Sequence, residues 1–155
     1  MTDANTIDDD RRLISDKLAL WCRCVDTLDM GRMSEVFVQD LEWDFDGVVV
    51  EKSLSRIVNR IVQHIGNNPF CGATQHCLSN MVIDIEGDSA ESHAYFCAAH
   101  AGAGDLEGQT LVVWGIYNDF WQRTEEGWRI ARRLYSRNIF DGPKNILYPD
   151  GIHRT

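Results

Sequence analysis

Residues 74–100 read TQHCLSNMVIDIEGDSAESHAYFCAAH. Apolar and polar side chains alternate on both sides of Gly87-Asp88. Period-two alternation broken by a Gly-Asp pair predicts two antiparallel strands joined by a tight turn, here over 75–86 and 89–101. The same grammar continues at 109–123 and 128–137, with Gly102 to Gly108 and Glu125-Glu126-Gly127 between them. The outcome is a four-stranded meander that buries one face.

Upstream the period changes. Leu13, Ile14, Leu18, Trp21, Cys22, Val25 and Leu28 recur at helical spacing. They predict a first helix of about 20 residues, capped by Asp8–Asp10 and ended by Gly31. Met33 to Phe37 reads as a short second helix. Trp43 to Val50 reads as a small hairpin turning at Asp46-Gly47. Ser53 caps a third helix with Leu54, Ile57, Val58, Ile61, Val62 and Ile65 on one side, and 66–73 is loop. Helices first and a mainly antiparallel sheet afterwards make an α+β fold. The reading is one domain over 1–155, with a core of 10–137 and a tail, 138–155, that caps the hollow or a neighbouring subunit. A sheet curled round the helices leaves a closed-ended hollow suited to a small apolar ligand.

The net charge of −9 argues against a nucleic-acid partner, which needs a basic stripe. The one basic cluster is Arg129, Arg132, Arg133 and Arg137. No apolar run reaches the ~18 residues of a membrane span. The polar start MTDANTIDDDRR carries no signal-peptide pattern, so a cytoplasmic location is expected. Cys22, Cys24, Cys71, Cys77 and Cys97 read as buried free thiols. Gly102-Ala103-Gly104 opens no helix and so predicts no phosphate cradle.

Asp26 follows Leu18 and Cys22 along one helical ridge, at i+4 and i+8. A carboxylate there is either a helix-end charge or a paired group. A lone strand histidine such as His76 is more often structural than catalytic. Together, Asp26 would fix the tautomer of His76 and leave its other nitrogen as a general base. His93 and His100 lie on opposite faces of one strand, so no three-ligand metal site is expected. A plain turn at Gly87-Asp88 pairs His76 with Ala99 and faces His100 away. One β-bulge near Asn80–Val82 would bring His76 beside His100. Beyond it, Met81, Ile83 and Ile85 alternate. Trp21, Trp43, Tyr95, Phe96, Trp114, Tyr117, Phe120 and Tyr135 are core or hollow lining. Arg133 and Arg137, on one face with Tyr135, hold an anion or a salt bridge. His64 and His153 have no supporting context.

Several of these stretches resemble one superfamily. Leu20-Trp21-Cys22-Arg23-Cys24-Val25-Asp26, Gly31-Arg32-Met33 and Phe37-Val38-Gln39-Asp40 are similar to the opening of SnoaL-like, nuclear-transport-factor-2-like proteins. Thr74 to Asn80, Gly87-Asp88-Ser89-Ala90 and Gly127-Trp128-Arg129-Ile130 continue the likeness in order, over residues 10–137. The resemblance implies a cone-shaped α+β barrel, a homotrimer or homodimer, and no cofactor. Scytalone dehydratase, bile-acid 7α-dehydratase and hexachlorocyclohexane dehydrochlorinase, which eliminate a leaving group from a ring with an Asp–His pair, are the most similar enzymes. Their aspartate and histidine match Asp26 and His76, and the second histidine of scytalone dehydratase matches His100. The bile-acid enzyme's tyrosine falls on Trp21 and its late arginine on Arg137. The serine and asparagine of scytalone dehydratase fall on Gly115 and Tyr117.

The expected activity is therefore a cofactor-independent lyase acting on a small, mostly apolar cyclic substrate. Asp26, His76 and His100 are the catalytic candidates. Trp21, Tyr117, Arg133, Arg137, Trp114 and Phe96 are the substrate-binding ones. A ketosteroid-type isomerase or polyketide cyclase would use the same dyad. A non-catalytic subunit, like the small subunit of ring-hydroxylating dioxygenases, would separate Asp26 from His76 or fill the hollow with rings.

Overall fold

The structure, a computed structural model, describes residues 4–149, with side chains from residue 6 onward. His153 and the rest of the tail beyond Pro149 lie outside the described residues. Helix α1 spans Ala4–Thr27, so Asp8–Asp10 stand inside it rather than capping it. Asp8 and Asp9 pair one turn on with Arg11 and Arg12. Asp10 is buried; it accepts from Arg123 at 2.9 and 2.6 Å and from the Trp128 indole at 2.9 Å. These bonds tie α1 to the far end of the sheet.

After α1, Leu28 takes a left-handed turn at φ 55°. The predicted second helix is a 3-10 turn at Met30–Glu35, and Phe37 opens strand β1, Phe37–Phe45. Asp46 and Gly47, both at positive φ, form the tight turn into β2, Val49–Lys52, which pairs antiparallel with β1. Helix α2, Leu54–Ile61, ends in a wider turn at Val62–Gly66. Ser53 precedes α2, yet its hydroxyl bonds Ser55 rather than a helix amide.

Four long strands follow: β3, Cys71–Glu86; β4, Ser89–Gly102; β5, Thr110–Thr124; and β6, Gly127–Asp141. The sheet order is β2-β1-β6-β5-β4-β3. The meander is antiparallel, and β1 joins β6 in parallel. The sheet is curved and stays open at β2 and β3 in the nuclear-transport-factor-2-like manner. Its inner face packs Ala98, Leu111, Val113 and Ile130 on Leu18, Trp21 and Val25 of α1 and Ile57 of α2. Among the described residues no helix is long and apolar enough to cross a membrane.

The register of β3 on β4 slips between Ser79 and Val82. Asn80, at φ 50°, is of a residue type that accepts left-handed backbone inside such a bulge. His76 consequently pairs with Ala98 rather than Ala99, which puts it on the same face as His100. Ile83 and Ile85 turn inward as expected, but Met81 lies in the bulge and is exposed. Cys77 and Cys97 stand opposite each other, and Cys77 is exposed rather than buried. The arginine cluster divides among separate partners: Glu126, Glu42, Asp119 and Asp46.

Candidate functional site

Asp26 sits in the last turn of α1, on the ridge of buried Leu18 and Cys22. That ridge carries its carboxylate to the start of β3. Oδ1 accepts from the Thr74 hydroxyl at 2.8 Å and faces His76 Nδ1 at 2.7 Å. Oδ2 accepts from the His76 backbone N–H at 2.9 Å. Burial pushes the Asp26 carboxyl up. The His76 ring and backbone bonds and the Thr74 hydroxyl together outweigh that, and its pKa lies below the ordinary value. An ionised Asp26 requires Nδ1 of His76 to carry hydrogen, so in the neutral ring the lone pair is the one on Nε2.

The His76 and His100 rings meet edge-on with centroids 5.7 Å apart. His100 is buried, and its Nδ1–H donates to the Leu111 carbonyl at 3.4 Å. Burial first, and His76 next, push its pKa down to about 4. In the unfolded chain the same imidazole titrates near ~6.5, so the unfolded state takes up the proton first as pH falls. The stability from a neutral His100 is therefore complete above ~6.5 and is lost as pH falls toward about 4. We expect the parent chain to lose about 2 kcal/mol more than His100→Phe between about pH 7.5 and about pH 5, measured by urea unfolding of both. Equal losses would mean that His100 is charged inside the fold.

Both histidines open onto a hollow of about 110 Å³. Trp21, Trp43, Tyr117 and Tyr135 form its aromatic wall, and Ile57 and Ile61 of α2 close one side. Arg137 enters from β6, held by Asp46 at 2.7 Å and donating to the Tyr148 hydroxyl at 2.7 Å. Leu147 and Tyr148 of the tail also line the hollow. The tail is anchored by Asn68, whose amide donates to the Ile146 carbonyl at 2.7 Å.

Of the substrate-binding candidates, Trp21, Tyr117 and Arg137 line this hollow. Arg133, Trp114 and Phe96 do not. Arg133 is fully buried, forked on Asp119 at 2.6 and 2.8 Å. Its guanidinium carbon lies 4.0 Å from the Tyr117 ring centroid and 4.9 to 5.2 Å from those of Trp21, Trp43 and Phe37. It is a cation embedded among rings. Trp114 projects from the opposite face of β5, beside Tyr95, Ile116 and Ile139. Phe96 stacks on Tyr117 at 4.6 Å and Tyr135 at 5.3 Å, behind the wall. Gly115 makes room for it, because a Cβ there would come within 2.5 Å of the Phe96 ring.

Arg60, which the sequence did not single out, and His64, which it left without context, also line the hollow. Their four-residue spacing, repeating that of Ile57 and Ile61, was the available signal. Leu147 and Tyr148, which also line the hollow, lie in the tail expected to cap it or a neighbouring subunit.

A family model described as "SnoaL-like domain" matches residues 8–134. The uncharacterized protein Rv2910c of Mycobacterium tuberculosis is 28% identical over 129 residues, covering 83% of this chain and 85% of that protein. Kfla4162 of Kribbella flavida superposes with a TM-score of 0.77 at 24% identity, over 90% of this chain and 95% of that one. Hexachlorocyclohexane dehydrochlorinase LinA-type3 of Novosphingobium barchaimii gives a TM-score of 0.70 at 19% identity, over 94% and 93% of the two chains. The two structural likenesses speak for the fold.

Proposed function

The chain belongs to the SnoaL-like domain family, and from that premise we propose that it is a cofactor-independent lyase that eliminates a small leaving group from a mostly apolar cyclic substrate. The observation that carries the proposal is the Asp26–His76 contact of 2.7 Å at the wall of an aromatic hollow. A solvated helix-end charge and a core histidine would not meet there.

His76 Nε2 removes a proton beside an activating carbonyl, and Asp26 holds the ring and balances the imidazolium. Tyr117 is the better donor to the departing oxygen. Its hydroxyl is protonated at rest because burial raises its pKa. Arg133, 4.0 Å from its ring, opposes that shift and offsets the charge left when the hydrogen is given up. His100 is neutral, and with Nδ1–H committed to Leu111 its Nε2 can only accept. It takes the hydrogen bond of the substrate hydroxyl. Loss of water leaves a conjugated ring, and the proton gained by His76 replaces the one given by Tyr117. The dehydrochlorinase with the same fold removes a different leaving group, and the family reading fits either.

Incubating the chain with a panel of cyclic β-hydroxy-ketones tests the reading. Products lighter by one water are expected. Products of unchanged mass with a moved double bond would instead identify an isomerase, and unchanged substrates throughout would favour a binding subunit. Tyr117→Phe is expected to lower kcat about 10²-fold with little change in KM, since it removes a donor used in the transition state.

A further inference from the structure

The hollow is too small for a whole substrate. At about 110 Å³ it falls below the ~300 Å³ at which ordinary ligand sites begin. It opens past Phe45, Arg60, His64, Arg137 and Tyr148 into an outer recess of about 550 Å³, and those five residues line both spaces. A molecule that reaches the dyad therefore extends between Arg60, His64 and Arg137.

The charge of this passage runs against that of the protein. The chain carries 24 acidic and 15 basic residues, yet among the described residues neither the hollow nor the recess is lined by an Asp or a Glu. Two arginines and a histidine face it instead. Arg60 comes from α2, its guanidinium 4.5 Å over the Phe45 ring and 4.0 Å from Glu51, a carboxylate that also serves Arg56. Arg137 comes from β6, oriented by Asp46 and Tyr148. His64 lies edge-on to Tyr148, with ring centroids 5.5 Å apart. Burial first, and then Arg60 and Arg137, lower its pKa. An anion between the three groups would offset that repulsion and gain charge-assisted hydrogen bonds.

We infer that the substrate is an amphipathic cyclic acid, whose ring enters the hollow and whose carboxylate rests in the recess between Arg60 and Arg137. The inference deepens the lyase reading and rests on it for the identity of the inner site. Arg60 is then a specificity residue, and the acid group fixes which ring carbon meets His76.

Binding of 2-naphthol and of 6-hydroxy-2-naphthoate, followed by quenching of the tryptophans that line the hollow, tests this. These probes share a ring system and differ by one carboxylate. The parent chain is expected to bind the naphthoate at least tenfold more tightly. Arg60→Gln should bring the two affinities close to parity, and Arg60→Lys should retain most of the preference. In the parent chain, naphthoate but not naphthol should raise the pKa of His64 in an NMR titration. Naphthol bound as tightly as naphthoate would overturn the inference and leave the lyase reading standing. So would an Arg60→Gln variant that weakens both probes equally. Failure of both probes to bind would overturn the inference together with the view of the hollow as a ligand site. Loss of dehydration activity in His76→Ala tests the lyase reading separately.

Discussion

His76→Ala is expected to lower turnover by about 10²–10⁴-fold while leaving the fold and its thermal transition nearly unchanged. The side chain is mostly enclosed but lines a void, so its removal enlarges the hollow instead of opening a gap in tight packing. What disappears is the base. Asp26→Asn should produce a loss of similar order by another route. Its amide would present hydrogen to Nδ1, the hydrogen of His76 would move to Nε2, and the lone pair would no longer face the substrate. Kinetics on whichever hydroxy-ketone the parent chain dehydrates, beside circular dichroism of each variant, measure both effects. Full activity in His76→Ala would remove the dyad from the mechanism.

Asp119→Ala is expected to destabilise the chain by about 3–5 kcal/mol, the effect of stranding a buried charge. Arg133 and Asp119 face each other across β5 and β6, with side-chain exposures of 0% and 1%. The guanidinium is already one bond short, since its Nη1 has no hydrogen-bond partner among the described residues. Without Asp119 it would have neither counter-charge nor acceptor. The double variant Asp119→Leu, Arg133→Met should recover most of the loss, because apolar residues can replace a buried pair at little net cost. Urea unfolding of the three proteins reads the result. A loss under about 1 kcal/mol in Asp119→Ala would show that water reaches the guanidinium. Arg133 underlies the Tyr117 ring at 4.0 Å, so a stable but shifted variant should also lose activity through Tyr117.

The meander was legible because period-two alternation and turn chemistry are local. Observed strand limits depart from the expected ones by a few residues at most ends. β3 begins at Cys71 rather than residue 75, and β6 runs on to Asp141, where a tail was expected. The bulge at Asn80 was legible only as a mismatch of parity, and its consequence for His76 needed the register of β4. Arg133 and Arg137 share a strand face, and nothing in their sequence context separates them. Arg133 meets Asp119 and is swallowed, while Arg137 meets Asp46 and reaches the hollow. Trp114 misled because aromatic content reports burial without saying on which side of a sheet.

By itself the sequence determined the α+β class and the antiparallel meander, offered Asp26 and His76 as an acid–base pair, and resembled the family to which the chain belongs. The class and the meander follow from periodicity and residue type, which act over a few neighbours, and the family likeness from motifs that recur in order. Tertiary structure alone decided the parallel joining of β1 to β6, the choice between two arginines, and the meeting of Arg60 and His64 with the tail at the mouth of the hollow. Each of these is settled by a partner far away along the chain, and local patterns carry no record of distant partners.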